Sequence, residues 1–120
     1  DLDEFNWIFW PAKGEYENTT YFITDTQACD NVQFSYTNKT IDKIAVFTDG
    51  LQNLALYNKT QTVHPPFFRN LFKFLGTTHE TEPDKLAIPL SNFLNSQQVN
   101  ERTDDDKTLV IALRNVNLED

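Results

Sequence analysis

Asp42-Lys43-Ile44-Ala45-Val46-Phe47-Thr48-Asp49-Gly50 is the stretch whose reading decides the fold of this chain. Ile44 to Phe47 is a continuous apolar run of strand length with β-branched content, as expected of a buried central strand, and Thr48-Asp49-Gly50 ends it. Leu109-Val110-Ile111-Ala112-Leu113 has the same character and reads as a second buried strand. Asp49 follows the first run directly, and Asp104-Asp105-Asp106 precede the second. If the two strands pair antiparallel, the carboxyl end of one lies beside the amino end of the other, and both acidic sites project from one sheet edge. Parallel pairing would hold them roughly a strand length apart, about 17–20 Å.

The segment between these runs is helical in pattern. Leu51, Leu54 and Ala55 predict a short helix after Gly50. Pro65-Pro66 open a longer one, in which Phe67, Phe68, Leu71, Phe72 and Leu75 share a stripe, Arg69, Asn70 and Lys73 lie opposite, and Gly76 is the expected stop. Such a stripe is what any sheet-covering helix needs. Thr81-Glu82-Pro83-Asp84 open a further helix carrying Leu86, Ala87, Leu90, Phe93 and Leu94, with a kink or break expected at Pro89. Glu101 to Asp106 reads as a polar loop, and the chain from Arg114 onward as a polar tail.

Upstream the pattern changes to period two. From Glu4, Phe5, Trp7 and Phe9 alternate with Asn6, Ile8 and Trp10 up to Pro11, predicting a strand apolar on both faces and well covered. Lys13-Gly14 predicts a turn and Thr20 to Thr24 a second strand. Val32, Phe34 and Tyr36 alternate with Gln33, Ser35 and Thr37, predicting a third with one wet face. The fold class expected is α+β, a mainly antiparallel sheet covered by helices.

Composition narrows the function. Of 120 residues, 39% are hydrophobic and 13% aromatic, enough for one folded domain or a piece of one. Acids outnumber bases 18 to 10, leaving a net charge of −8 and no basic stripe for nucleic acid. No apolar run is long enough to span a bilayer and no leader pattern is visible, so the expected location is cytoplasmic, without a membrane partner. The lone Cys29 excludes an internal disulfide and an all-thiolate zinc site, and reads as a passive thiol in a turn. His64 and His79 stand beside helix-terminus signals and read as solvent-facing loop residues. The Asn-x-Thr sequons at Asn18, Asn38 and Asn58 are close to chance in so Asn-rich a chain and do not argue for secretion.

Carboxylates gathered at one sheet edge repel one another, and the usual relief is a hard divalent cation with oxygen ligands, Mg²⁺ or Mn²⁺ by default. Taken alone the signal is weak, because acidic loops such as Asp104 to Asp106 are commonly solvated surface. Two carboxylates are also too few for Mg²⁺, whose roughly six oxygens come from water, phosphate or further side chains.

Phe47-Thr48-Asp49-Gly50-Leu51, followed by Glu101-Arg102-Thr103-Asp104-Asp105-Asp106-Lys107-Thr108-Leu109-Val110, resembles the two C-terminal signatures of the metal-dependent, PPM-type (type 2C) serine/threonine protein phosphatases. The first signature is a hydrophobic strand ending in Ser/Thr-Asp-Gly. The second is Ser/Thr-x-Asp-Asn/Asp-x-Thr leading into a strand, matched in register by Thr103, Asp105, Asp106 and Thr108. Gly14-Glu15-Tyr16, Asn18 to Thr24 and the Pro65-Pro66-Phe67-Phe68 helix resemble the bacterial branch more narrowly. The resemblance implies that Asp49 and Asp105 are ligands of a two-metal Mn²⁺ or Mg²⁺ centre, with Asp104 and Asp106 as neighbours and Thr48 and Thr103 as backbone-ordering hydroxyls. It implies a signalling hydrolase that cleaves phosphoserine or phosphothreonine in a protein substrate by a two-metal-activated water, without a phosphoenzyme.

The family's Asp-Gly-x-Gly motif and its phosphate-holding basic residue are not found: none of Gly14, Gly50 or Gly76 sits in such a motif. Residues 1–120 therefore read as the C-terminal portion of the domain, half of an α-β-β-α sandwich, whose partner is the missing N-terminal half. Alone it is expected to bind metal poorly, hydrolyse little and expose strand edges prone to self-association. Two other readings stand beside it: a non-catalytic partial or degenerate domain acting as a binding or regulatory module, and an unrelated acidic α+β domain whose aspartates are solvated or bind Ca²⁺ weakly.

Overall fold

A computed structural model describes residues 5–11 and 22–114. The expected Lys13-Gly14 turn, the first part of the Thr20 to Thr24 strand and the tail beyond Arg114 lie outside the described residues. The described residues divide into two compact units, residues 5–6 with 40–114, and residues 7–11 with 22–39.

The larger unit is α+β. Its elements are β1 (Lys43–Phe47), a 3-10 turn at Asp49–Leu51, α1 (Gln52–Ala55), β2 (Leu56–Tyr57), β3 (Thr62–Val63), α2 (Pro65–Thr77), α3 (Pro83–Leu94), α4 (Gln97–Asn100) and β4 (Leu109–Leu113). β1 pairs antiparallel with β4, from Lys43 opposite Leu113 to Phe47 opposite Leu109. β2 and β3 form a separate antiparallel hairpin.

Neither apolar run is a buried central strand. β1 and β4 make a two-stranded sheet among the described residues. Their side chains alternate: Ala45, Phe47, Leu109, Ile111 and Leu113 are partly or fully buried, whereas Ile44, Val46 and Val110 are exposed on the other face. Continuous apolarity marks residues suited to two covered faces, and this unit covers one.

The core forms where the inner sheet face meets the helices. Leu51, Leu71, Val99 and Leu109 are buried together, with Phe47, Leu54, Phe67, Leu90, Phe93, Leu94 and Ile111 packed around them. The α2 stripe behaves as its spacing predicts: Phe68, Leu71 and Phe72 are buried, and the Phe5 ring lies 5.7 and 5.8 Å from the Phe68 and Phe72 rings. The Lys43 ammonium sits 5.4 Å from the Phe5 centroid and 5.9 Å from that of Phe72, closing the far end of this aromatic layer. α2 runs one residue past Gly76, whose helical backbone is open to any residue without positive φ.

α3 runs through Pro89 without a break. Proline removes one backbone bond, and packing of Leu90, Phe93 and Leu94 against the core holds the helix across the gap. The loop expected from Glu101 is preceded by α4, whose Val99 is buried. His64 is no solvent-facing loop residue. It is half-buried before α2, its amide donates to the Ala55 carbonyl at 2.8 Å, its Nδ1 lies 3.1 Å from the Leu54 carbonyl, and its ring is 4.9 Å from that of Tyr57. His79 is exposed, as expected.

The smaller unit contains the strand-patterned segments, and among its described residues no strand forms. Trp7, Ile8 and Phe9 are exposed where a well-covered strand was expected. Phe22 to Asp25 closes a turn, with the Asp25 amide on the Phe22 carbonyl and the Phe22 amide on Asp25 Oδ2, both at 3.0 Å, in place of the end of a second strand. Residues 32–37 carry no strand ladder, although Val32 is extended. Cys29 is exposed on the 3-10 turn Ala28–Asn31.

Candidate functional site

The antiparallel pairing of β1 with β4 brings the carboxyl end of one to the amino end of the other. The ladder continues beyond Phe47 and Leu109. The Thr48 amide donates to the Thr108 carbonyl at 3.1 Å, and the Thr108 amide donates to Thr48 Oγ1 at 3.0 Å, so one threonine closes both directions of the last rung. The Leu51 amide then donates to the Thr48 carbonyl at 3.1 Å, turning the chain within the 3-10 segment that begins at Asp49. Leu51 is fully buried beneath the turn and fixes its depth.

At Gly50 the two acidic segments come close together. A Cβ there would stand 2.9 Å from the carbonyl carbon of Asp106, closer still to its oxygen, and 3.3 Å from Lys107 Cγ. Carbon atoms rest at about 3.5–4.0 Å, so only a residue without Cβ lets the backbones of Asp49-Gly50 and Asp106-Lys107 come together in this way. Among the described residues no glycine has positive φ, so Gly50 is required by proximity and not by its backbone angle.

The acidic loop is tied by its own side chains. The Asp105 amide donates to Thr103 Oγ1 at 3.3 Å and the Asp106 amide to Asp105 Oδ1 at 2.8 Å. Lys107 Nζ donates to Asn100 Oδ1, anchoring the loop to α4. Asp49, Asp104, Asp105 and Asp106 are all exposed. An open groove of about 490 Å³ runs beside the loop, lined by Ser91, Leu94, Asn95, Asp105, Asp106 and Lys107.

The segments bearing Asp49 and Asp105 thus meet at one end of the sheet. Their carboxylates are hard oxygen donors, the kind that Mg²⁺ and Mn²⁺ take, and their exposure leaves room for water as additional ligands. Among the described residues no group of three or more His, Cys, Asp or Glu could hold a metal ion. Gly50 belongs to the Thr-Asp-Gly motif, but its part as the contact point depends on the strand register; Asn100, which anchors Lys107, lies outside both motifs and is placed by α4.

Residues 2–95 match the family described as Protein phosphatase 2C, a span that includes Thr48-Asp49-Gly50 and ends before the Asp104 to Asp106 loop. The sequence is 45% identical over 103 residues to serine/threonine-protein phosphatase 3 of Escherichia coli strain K12, a match covering 86% of this chain and 41% of that protein. The chain therefore spans well under half the length of that curated relative. No solved structure matches. No helix among the described residues is long and apolar enough to cross a membrane. With the family match extending over most of its length, the chain belongs to the protein phosphatase 2C family.

Proposed function

We propose that this chain is the C-terminal portion of a metal-dependent phosphatase domain that hydrolyses phosphoserine or phosphothreonine in cytoplasmic signalling proteins. The observation that carries the proposal is the meeting of Asp49-Gly50 with Asp106-Lys107 at the end of the β1–β4 pair. In this reading the Asp49 and Asp105 carboxylates hold Mn²⁺ or Mg²⁺ together with carboxylates from an N-terminal half of the domain. The chemistry such ions supply when bound is polarisation of phosphoryl oxygens and activation of water at neutral pH.

The chain's own residues give this centre its rigidity. Thr48 locks the end of β1 to Thr108, and Thr103 supports the Asp105 amide, so both aspartates leave from backbone that is already hydrogen-bonded. Asp104 and Asp106 add negative charge beside the ligands, and the Asp106 amide donates to Asp105 Oδ1, fixing one oxygen of that carboxylate.

The test uses the longer phosphatase polypeptide containing this chain, assayed on an aryl phosphate with Mn²⁺. Asp49→Asn and Asp105→Asn should each lower the rate by about 100-fold or more and weaken Mn²⁺ binding in calorimetry, since a neutral amide replaces an anionic ligand. Unchanged turnover in both variants refutes the metal assignment. A non-catalytic binding or regulatory module is the second reading, favoured by the lack of a three-ligand group among the described residues. It predicts a longer polypeptide that is inactive with any divalent ion. Membership of the phosphatase family disposes of the third reading, an unrelated acidic domain.

A further inference from the structure

Lys107 follows Asp104-Asp105-Asp106 directly, and its ammonium is bonded to none of them. It donates instead to Asn100 Oδ1 on α4. Among the described residues no ion pair engages Asp49, Asp104, Asp105 or Asp106. Asp105, Asp106 and Lys107 line one groove, and a four-carbon lysine stem is flexible enough to turn its head toward either carboxylate. An ammonium also gains more from a carboxylate than from a neutral amide, so the choice of Asn100 has to be enforced by position. Two contacts enforce it. The Lys107 stem lies against Gly50, where a Cβ would stand 3.3 Å from Lys107 Cγ. Asn100 Nδ2 donates to the Asn95 carbonyl at 3.1 Å, which fixes the orientation of the amide and presents Oδ1 to Lys107. A flipped amide would set its NH₂ against the ammonium and its oxygen against the Asn95 oxygen.

We propose that Asn100 is a positioning residue that holds the Lys107 ammonium off Asp105 and Asp106, so that these carboxylates stay unneutralised for a divalent cation. This rests on the reading of Asp49 and Asp105 as ligands of Mn²⁺ or Mg²⁺. Released from Asn100, Lys107 pairs with a neighbouring carboxylate in the groove, and a cation must then displace an internal ammonium before it can bind. The device acts through charge, and this distinguishes it from a tie that merely braces the loop. If Asn100 only braced the loop, losing either end of the Lys107–Asn100 bond would do the same harm. If Asn100 restrains a competitor, losing Asn100 is harmful and losing the Lys107 charge is not.

The test is Mn²⁺ calorimetry, without substrate, on the longer phosphatase polypeptide containing this chain and on its Asn100→Leu, Lys107→Gln and doubly substituted variants. Asn100→Leu should weaken Mn²⁺ binding by about 10-fold or more. Lys107→Gln should bind at least as tightly as the parent, and adding it to Asn100→Leu should restore affinity to within about 3-fold of Lys107→Gln alone. Both Asn100→Leu proteins lack the bond to the Asn95 carbonyl, so any shared drop in melting temperature leaves the difference in affinity to be read. Asn100→Leu binding like the parent overturns the proposal, as does a Lys107→Gln protein as weak as Asn100→Leu, or a double variant that is not rescued. Should Asn100→Leu fail to fold, Lys107→Gln alone decides, weaker binding than the parent refuting the proposal and equal or tighter binding supporting it. A parent that binds Mn²⁺ and loses it on Asp105→Asn, with Asn100→Leu unaffected, refutes this inference and leaves the metal reading standing; a parent that binds no Mn²⁺ sinks both.

Discussion

Replacing Gly50 by alanine isolates the contact on which the site depends. The new Cβ would lie 2.9 Å from the Asp106 carbonyl carbon, closer to its oxygen, and 3.3 Å from Lys107 Cγ. The Lys107 atom belongs to a flexible side chain and can retreat, but the Asp106 atoms are backbone. Restoring an ordinary contact distance requires the two segments to separate by about 1 Å. The Thr48–Thr108 rung next to them has bonds of 3.0 and 3.1 Å and cannot stretch that far intact. Overpacking of this kind costs about 1–3 kcal/mol, and the lost rung adds about 1 kcal/mol, so the melting temperature should fall by about 10 °C or more. Gly76→Ala is the control. Its Cβ would meet only Leu113 Cδ2 at 3.3 Å, a side-chain end that can move, and alanine gains about 0.5–1 kcal/mol of helix propensity. Differential scanning fluorimetry on both variants, with Mn²⁺ calorimetry on the longer polypeptide, should separate them: Gly50→Ala loses stability and metal affinity, whereas Gly76→Ala holds or gains stability. A Gly50→Ala protein that melts and binds Mn²⁺ like the parent would refute the close approach and the site built on it.

Further tests follow from burial and bonding. Leu51 is 0% exposed beneath the turn, so Leu51→Ala should cost about 2–5 kcal/mol by urea unfolding, whereas Val46→Ala, at a residue 62% exposed, should stay within about 0.5 kcal/mol. Thr48→Val removes the acceptor of the Thr108 amide; since Thr108 is exposed, water can substitute, and a loss of about 1 kcal/mol is expected in the same assay. Pro89→Ala restores an amide inside α3, offset by a freer unfolded chain, and a net gain of about 1–2 kcal/mol should raise the melting temperature.

What the sequence disclosed follows a physical division. Helices satisfy their own backbone, so their residues carry most of the information: the α2 stripe of Phe68, Leu71 and Phe72 is buried as its spacing predicts, and α3 forms despite Pro89. Strands need a partner elsewhere in the chain. Residues 44–47 and 109–113 found each other, antiparallel, whereas residues 5–10 and 32–37, equally strand-like by composition, have no ladder among the described residues. Period-two patterning therefore records fitness for a sheet and not the presence of one. The short β2–β3 hairpin and α4 were missed because two-residue strands and a four-residue helix carry too few positions to show a period.

The same division separates the parts of the candidate site. Thr48, Asp49, Thr103 and Asp105 stand out because the motif places each at a strand end, a property local to the sequence. The role of Gly50 is not local. It arises because Phe47 opposes Leu109, which sets the Asp49 turn against the Asp106 carbonyl, and a register shifted by one residue would turn the buried faces of both strands outward. Register is held here by the inward residues Ala45, Phe47, Leu109 and Ile111 packing on the Leu51–Leu71–Val99 core. The geometry of the acidic site is thus a consequence of apolar packing several residues away, and a core substitution that lets the strands slip would separate the aspartates without altering either one.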